Sequence, residues 1–145
     1  MSTPNDRINT DNGRFDFTTW AIKINGTFEA PFGLRITPSL RSQSGQPYAR
    51  TFVAGAANGI NYGSQRILAE PIGTRHQDNI SIVDVRIEKL LHMPQNRAVS
   101  VFLDGYNLLN TNAAANINWS SGLTFLTPST IVPPRIARFG AKFDW

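Results

Sequence analysis

The stretch that decides the fold is RFGAKFDW, Arg138–Trp145, at the end of the sequence. With the two residues before it, the stretch alternates strictly: one row is Ala137, Phe139, Ala141, Phe143, Trp145 and the other is Ile136, Arg138, Gly140, Lys142, Asp144. A period of two is the pattern of a β-strand with one apolar and one polar face. The stretch therefore predicts a strand, and it raises the question of what the apolar row contacts.

Four further stretches have strand character. They are Trp20–Glu29 (WAIKINGTFE), Leu34–Gln43 (LRITPSLRSQ), Asn79–Leu90 (NISIVDVRIEKL) and Ala98–Leu109 (AVSVFLDGYNLL). The first three alternate between apolar and polar residues, as half-buried strands do. In the fourth, both rows carry apolar residues, so the sequence leaves its orientation open.

The connections between these strands alternate in length. Ala30–Gly33 and His92–Asn96 are short, whereas the connections from about Ser44 to Asp78 and from about Asn110 to Pro134 are long. Unstructured loops beyond about 15 residues are uncommon in compact domains, but outer-membrane barrels combine short periplasmic turns with long extracellular loops. The sequence predicts an all-β, antiparallel up-and-down meander of about five strands.

Five strands are too few to close a barrel, since eight is the usual minimum. We therefore expect residues 1–145 to be a single unit that forms one segment of a large transmembrane β-barrel. The first residues, MSTPNDRINTDNGR, lack the apolar core of a signal peptide. Either the protein is not exported, or Met1 is not the start of the parent protein.

Composition excludes several classes of function. The chain has 145 residues, 41% of them hydrophobic, with 11 glycines, 9 prolines and no cysteine. A β-rich protein fits this profile, and neither a disulfide framework nor a thiolate metal site is available. The net charge of +4 comes from dispersed arginines, without the basic run that favours nucleic-acid binding.

No pattern in the sequence indicates catalysis. Asp84 and Asp104 follow no spacing rule for paired acid catalysts, and His76 and His92 belong to no cluster of metal ligands. Neither a nucleophile elbow nor a phosphate loop is found. We expect a protein that is not an enzyme and that has no cofactor or metal.

The sequence resembles the C-terminal end of TonB-dependent outer-membrane receptors, and most closely their Oar-like group with a carboxypeptidase-regulatory-like domain. The stretches that carry the resemblance are NGTFEAPFGLR, SQSGQPYAR, NYGSQRILAEPIGTRHQDN, VDVRIEK, VFLDGYNLLN and IVPPRIARFGAKFDW. The last eight residues match the family's assembly signal: polar Arg138, then Gly140, hydrophobic Phe143 and terminal aromatic Trp145. The resemblance extends from about Asn5 onward.

This resemblance implies a barrel of about 22 strands with an N-terminal plug. Such a receptor lies in the outer membrane of a Gram-negative bacterium and imports a nutrient such as a siderophore or oligosaccharide. The implied partners are outer-membrane lipid and lipopolysaccharide, the barrel assembly machinery, TonB through the missing N-terminal part, and an undefined small-molecule ligand. Without a plug, this chain is not expected to transport alone.

Nine charged residues of the polar rows are candidates for facing the barrel lumen. They are Lys23, Glu29, Arg35, Arg41, Asp84, Arg86, Glu88, Lys142 and Asp144. Their functional interpretation is a solute path. The alternative is a ladder of opposite charges between strands, in which each pair contributes roughly 0.2–1 kcal/mol.

Two further alternatives concern the loops and the whole chain. Aromatic residues of the long connections could stack on a ligand or pack on one another; they are Tyr48, Phe52, Tyr62, Trp119 and Phe125. As a whole, the chain could instead be a small soluble β-domain that binds carbohydrate or peptide, with the apolar rows as its core. It could also be a genuine short outer-membrane protein that closes by oligomerising.

Overall fold

The computed structural model of the protein describes residues 8–10, 14–61, 63–94 and 97–144. The strands are β1 (Ala21–Asn25), β2 (Phe28–Ala30), β3 (Leu34–Gln43), β4 (Pro47–Tyr48), β5 (Thr51–Ala54), β6 (Gln65–Leu68), β7 (Arg75–His76), β8 (Ile80–Met93), β9 (Arg97–Tyr106), β10 (Ala114–Ile117), β11 (Pro128–Ile131) and β12 (Ile136–Asp144). Helix is limited to the short 3-10 turns Pro31–Gly33 and Ala56–Asn58 in the part of the chain that is described. The predicted all-β, antiparallel class is confirmed.

Among the described residues, no helix has the length and apolar character needed to span a membrane.

The chain divides into two compact units. We call the first the sheet unit, formed by Ala21–Gln43, Ile80–Asn112 and Val132–Trp145. The second, which we call the loop unit, is formed by Met1–Trp20, Ser44–Asn79 and Ala113–Ile131. The loop unit thus contains most of both long connections that the sequence predicts.

The sheet unit is an antiparallel meander with the order β1-β3-β8-β9-β12, in which β2 also pairs with β3. β1 and β2 continue one register along β3, since Asn25 pairs with Ser39 and Phe28 with Ile36. The pairings of β3 with β8, β8 with β9 and β9 with β12 each run without a register shift. Within the described residues β1 and β12 are open edges, and the sheet does not close on itself.

One face of the sheet is largely apolar because most residues that pair across the strands on that side are apolar; the exceptions include Lys89, between Leu34 and Val101, and the Ser42–Ser81 pair. Every second residue points to the same side, and directly paired residues share a side. The register therefore gathers onto one face Ile22, Ile24, Phe28, Leu34, Ile36, Leu40, Val83, Val85, Ile87, Leu91, Val99, Val101, Leu103, Phe139 and Phe143. We call this the apolar face, and the opposite side the polar face.

The apolar face is not covered. Ile24 is 58% exposed, Phe28 63% and Phe139 73%. The few buried hydrophobic residues among those described are Tyr48, Ala49, Ala54 and Val132, and no large side chain is fully buried. The sheet unit consequently has no packed core of its own on this side.

The first short connection is the 3-10 turn Pro31–Gly33. Both Phe32 and Gly33 have left-handed backbone conformations, with φ of 67° and 73°. A Cβ on Gly33 would lie 2.6 Å from the Leu90 carbonyl oxygen of β8, so the turn requires glycine there for space as well as for conformation.

Candidate functional site

The candidate functional site is the polar face, where two rows of side chains cross the sheet next to each other. In one row Thr37 pairs with Arg86, Arg86 with Asp104, and Asp104 with Arg138. The other row contains Glu29, Arg35, Glu88, Phe102 and Gly140. The charged residues of five strands, β2, β3, β8, β9 and β12, therefore lie in register, because each strand places every second residue on this side.

Asp104 on β9 is the centre of the first row. Arg86 holds it in two-pronged fashion, with Nε donating to Oδ1 at 2.6 Å and Nη2 to Oδ2 at 3.0 Å. From the other side Arg138 donates to Oδ2 through Nη2 at 2.6 Å and Nε at 2.9 Å, and the Tyr106 hydroxyl donates at 3.2 Å. The Asp104 side chain is 3% exposed, and charge-assisted bonds of this geometry are the strong ones.

Aromatic rings complete this cluster. The Arg86 guanidinium carbon lies 4.6 Å from the centre of the Phe102 ring, and that of Arg138 lies 5.6 Å from the Tyr106 ring. Both distances fall within the range of cation–π attraction. The Phe102 ring also covers Gly140, where an added Cβ would collide with it. Gly140 of the predicted assembly signal thus provides the space for this ring.

The second row carries a relay of opposite charges. Arg35 Nη2 lies 3.0 Å from Glu29 Oε1, and Arg35 Nη1 lies 3.6 Å from Glu88 Oε2. The Arg35 side chain is about half exposed. Exposed pairs of this kind contribute little to stability, so the relay mainly orients three polar side chains.

All nine residues predicted to share a polar side do lie on the polar face, and whether that face lines a lumen stays a prediction. Arg35, Arg86 and Glu88 form cross-strand ion pairs. Lys142 pairs with Asp144 two residues along its own strand, at 2.7 Å. A ladder of opposite charges between strands therefore accounts for some of these nine residues and not for all of them.

Asp84 has a different role from its neighbours. Its Oδ1 accepts the backbone N–H of Asn107 at 2.8 Å. Asn107 is buried, has a φ of 49°, and donates from Nδ2 to the carbonyls of Thr111 and Pro133. Asp84 thus stabilises the turn that ends β9.

Two of the clefts along the polar face lie beside the Asp104 row and toward β1. One of about 290 Å³ is lined by Thr37, Ser39, Arg86, Asp104 and Tyr106, among others. The second, of about 250 Å³, is lined by Lys23, Asn25, Ser39, Leu40, Arg41 and Asp84. Ser39 contributes to both clefts. The accessible lining of the first cleft is mainly apolar, and that of the second is mainly polar, so the second suits a solute with hydrogen-bonding groups.

The residues of the predicted assembly signal all belong to β12 or directly follow it. Arg138 and Gly140 lie on the polar face, and Phe143 lies on the apolar face opposite Val99. Trp145 lies outside the described residues. Their role in assembly stays a prediction.

The aromatic residues of the long connections lie in the loop unit. Tyr48 stacks on Trp119, with ring centres 6.2 Å apart, and Arg50 lies 5.0 Å from the centre of the Phe125 ring. These side chains form two separate contacts within the loop unit, which favours the interpretation that the loops pack together. Phe52 is 38% exposed, and Tyr62 lies outside the described residues.

An ion pair supports the same unit. The Glu70 carboxylate accepts the Arg50 backbone N–H at 2.9 Å and Arg75 Nε at 2.8 Å. These two bonds, the backbone bond first, lower the pKa of Glu70 below its ordinary value because they favour the charged form. Glu70 thereby ties β7 to the segment before β5.

The sequence did not predict that Asp104 is the centre of the charge cluster or that Asn107 forms the turn after β9. Asp104 lies on a strand whose two rows are both partly apolar, so the sequence did not orient it. The available signal was its possible pairing with the charged residues of β8 and β12, which needs the register. For Asn107, the signal was the Asn-x-x-Asn spacing of Asn107 and Asn110, since asparagine tolerates left-handed turns.

No group of three or more metal-ligating side chains occurs among the described residues. The chain matches no family model, no curated protein and no solved structure.

Proposed function

We propose that the chain is a segment of the transmembrane β-barrel of a TonB-dependent outer-membrane receptor, which imports a small nutrient. The observation that carries the proposal is the sheet unit, a meander with one apolar and one polar face whose apolar face is exposed. Soluble monomers rarely expose contiguous apolar patches beyond a few hundred Å². In a bilayer the same face meets lipid.

The rest of the geometry is consistent with this proposal. Strands of a barrel alternate between lipid-facing apolar and lumen-facing polar residues, and the unbroken register of the sheet produces that alternation. Both edges of the sheet are open within the described residues, and a bilayer requires every backbone group to pair. Further strands at both edges would satisfy that requirement.

In this proposal the polar face lines the path of the solute. The bonds of the Asp104 cluster orient its side chains, and the two clefts offer binding surface beside the cluster and toward β1. The chain contributes wall and binding groups, whereas energised transport would need a plug and TonB contact from elsewhere. The proposal includes no enzymatic activity.

The alternative of a soluble domain conflicts with the exposure of the apolar face. A soluble carbohydrate- or peptide-binding domain would have to bury Ile24, Phe28 and Phe139, and these are more than half exposed. This observation favours the barrel segment.

Membrane extraction tests the proposed function. The chain, with its native upstream sequence restored, is expressed in a Gram-negative host, and the fractions are separated on a density gradient. We expect the protein in the outer-membrane fraction, released by detergent but not by salt or carbonate. Recovery in buffer without detergent would show that the proposal is wrong.

A further inference from the structure

Lys23 and Arg41 form a pair of like charges on the polar face. They are direct partners in the register of β1 and β3, which puts their Cβ atoms about 5 Å apart. Among the described residues, neither has a carboxylate within the 4.0 Å of an ion pair, although other arginines of this face have one. Like charges directly opposite each other in a sheet are destabilising.

These two cations line the cleft of about 250 Å³ together with Asn25, Ser39, Leu40 and Asp84. The only carboxylate in the lining, Asp84, accepts the Asn107 backbone N–H through Oδ1. The lining thus carries two positive charges against one negative charge, and one oxygen of the negative group already accepts a backbone hydrogen bond. An arginine fork and a lysine ammonium together match the oxygens of a carboxylate or a phosphate.

Protection of a sheet edge explains this pair only in part. Lysine on an exposed edge strand discourages pairing with other chains, and β1 is such a strand. Arg41 does not fit that explanation, because β3 is paired on both sides. A second cation facing the first from an interior strand needs a different reason.

We propose that the cleft between Lys23 and Arg41 binds an oxyanion, a carboxylate or phosphate group carried by a small solute. A cleft of this size holds such a group with a few atoms around it, since pockets for drug-sized ligands are generally larger. Asn25 and Ser39 offer polar contacts beside the anion. The bound anion removes the repulsion between the two cations.

The position of the cleft in the sheet indicates at which stage of transport the oxyanion would bind. It lies at the end of the sheet where β3 leads into the long connection Ser44–Asn79. In the proposed receptor, long connections face the outside, so the site would meet the solute early on its path. This last step rests on the proposed function, whereas the binding itself does not.

Titration calorimetry tests the site on the protein with its native upstream sequence, folded in detergent micelles, with chloride as the only other anion. Inorganic phosphate and acetate are titrated separately into the wild type, the double variant Lys23→Gln/Arg41→Gln, and Arg35→Gln. Arg35 is the matched control, because it lies on the same face of β3 but is paired with Glu29 and Glu88. Circular dichroism verifies that each variant is folded.

We expect saturable binding of at least one anion to the wild type. The double variant should weaken it by about tenfold or more, since charge-assisted hydrogen bonds are lost, and Arg35→Gln should leave it within a factor of about two, as expected for a group outside the site. The anion that binds more tightly identifies the group as phosphate or carboxylate. Absence of binding to the wild type, or equal binding to the double variant, would overturn the proposal.

A stability measurement keeps the test decisive if the double variant folds poorly. Lys23→Gln alone, on the edge strand, should raise the urea midpoint in chloride buffer, because it removes the repulsion. Phosphate or acetate should raise the midpoint of the wild type and not that of Lys23→Gln. An equal rise in both would contradict the site. Neither anion binding nor the urea midpoint depends on whether the protein lies in a membrane. A failure of the proposed function would therefore appear in the extraction experiment and not in these measurements.

Discussion

Asp104 is the residue on which the polar face depends most. It accepts bonds from Arg86, Arg138 and Tyr106, and its side chain is almost inaccessible to solvent. Removing one arginine leaves the carboxylate with the other arginine and with the tyrosine. Removing the carboxylate leaves two guanidinium groups facing each other across β9 without an anion.

We therefore predict that Asp104→Ala and Asp104→Asn lower the free energy of unfolding several-fold more than Arg86→Ala does. The reason is that the Asp104 variants leave two neighbouring guanidinium groups without their shared anion, whereas Arg86→Ala leaves the buried carboxylate paired with Arg138 and Tyr106. Urea titration of the protein with its native upstream sequence, folded in detergent, measures the difference. Equal effects of the Asp104 and Arg86 variants would show that the cluster has no such centre.

The position of the Phe102 ring explains why residue 140 is a glycine. Gly140→Ala should cost roughly 1–3 kcal/mol of unfolding free energy, because the ring must move away from the new methyl group and from Arg86. Gly26→Ala is the matched control, since an added Cβ there meets nothing within 4 Å. The combination Gly140→Ala/Phe102→Leu should recover part of the loss. A neutral Gly140→Ala variant would mean that the ring has no preferred position.

At the scale of elements, alternation predicts the strands of the sheet well and the loop strands poorly. The stretch Leu34–Gln43 coincides with β3, because its apolar and polar rows are separate. The fourth predicted stretch runs to Leu109, but β9 ends at Tyr106 since Asn107 turns the chain. The strands of the loop unit have two to four residues, which is too short for a period to show.

The orientation of β9 illustrates why the site was predicted only in part. Its two rows have similar hydrophobicity, and its polar side is fixed by partners on two other strands, Arg86 on β8 and Arg138 on β12. Information of this kind lies in the register between strands and not in the strand itself. The charged rows of β3 and β8 were oriented from the sequence alone, because apolar and polar residues alternate within each of these strands.

The connection between β6 and β7 should respond to pH through Glu70. The folded-state pKa of Glu70 is lowered from 4.5, so its contribution to stability is complete above that value and is lost as the pH falls through the lower folded pKa. We predict that exchange of the Arg50 backbone N–H with solvent accelerates as the pH is lowered below 4.5, beyond the intrinsic pH dependence of exchange. In Glu70→Gln this N–H should be less protected at neutral pH and should lack the additional pH dependence. Hydrogen exchange followed by NMR measures both, and the same excess in the wild type and the variant would contradict the assignment.

At the scale of the whole molecule, the exposed apolar face of the sheet unit leads to opposite predictions for a soluble domain and for a membrane barrel. Phe139 on the apolar face is 73% exposed. In a soluble domain with this surface, replacing it by a charged residue would improve solubility and leave stability nearly unchanged. In a barrel wall the same residue meets the hydrocarbon interior.

We predict that Phe139→Arg, in the protein with its native upstream sequence and folded into phospholipid bilayers, lowers the free energy of unfolding. The expected cost is about 2–4 kcal/mol if the residue lies near the bilayer midplane, and less toward the interface. Lys142→Gln, three residues along the same strand but on the polar face, is the control and should have little effect, since its pair with Asp144 is solvent-exposed. Folded and unfolded fractions are followed by gel mobility with and without heating. A Phe139→Arg protein that is as stable as the wild type in bilayers, and more soluble without detergent, would place the apolar face in water and contradict the barrel segment.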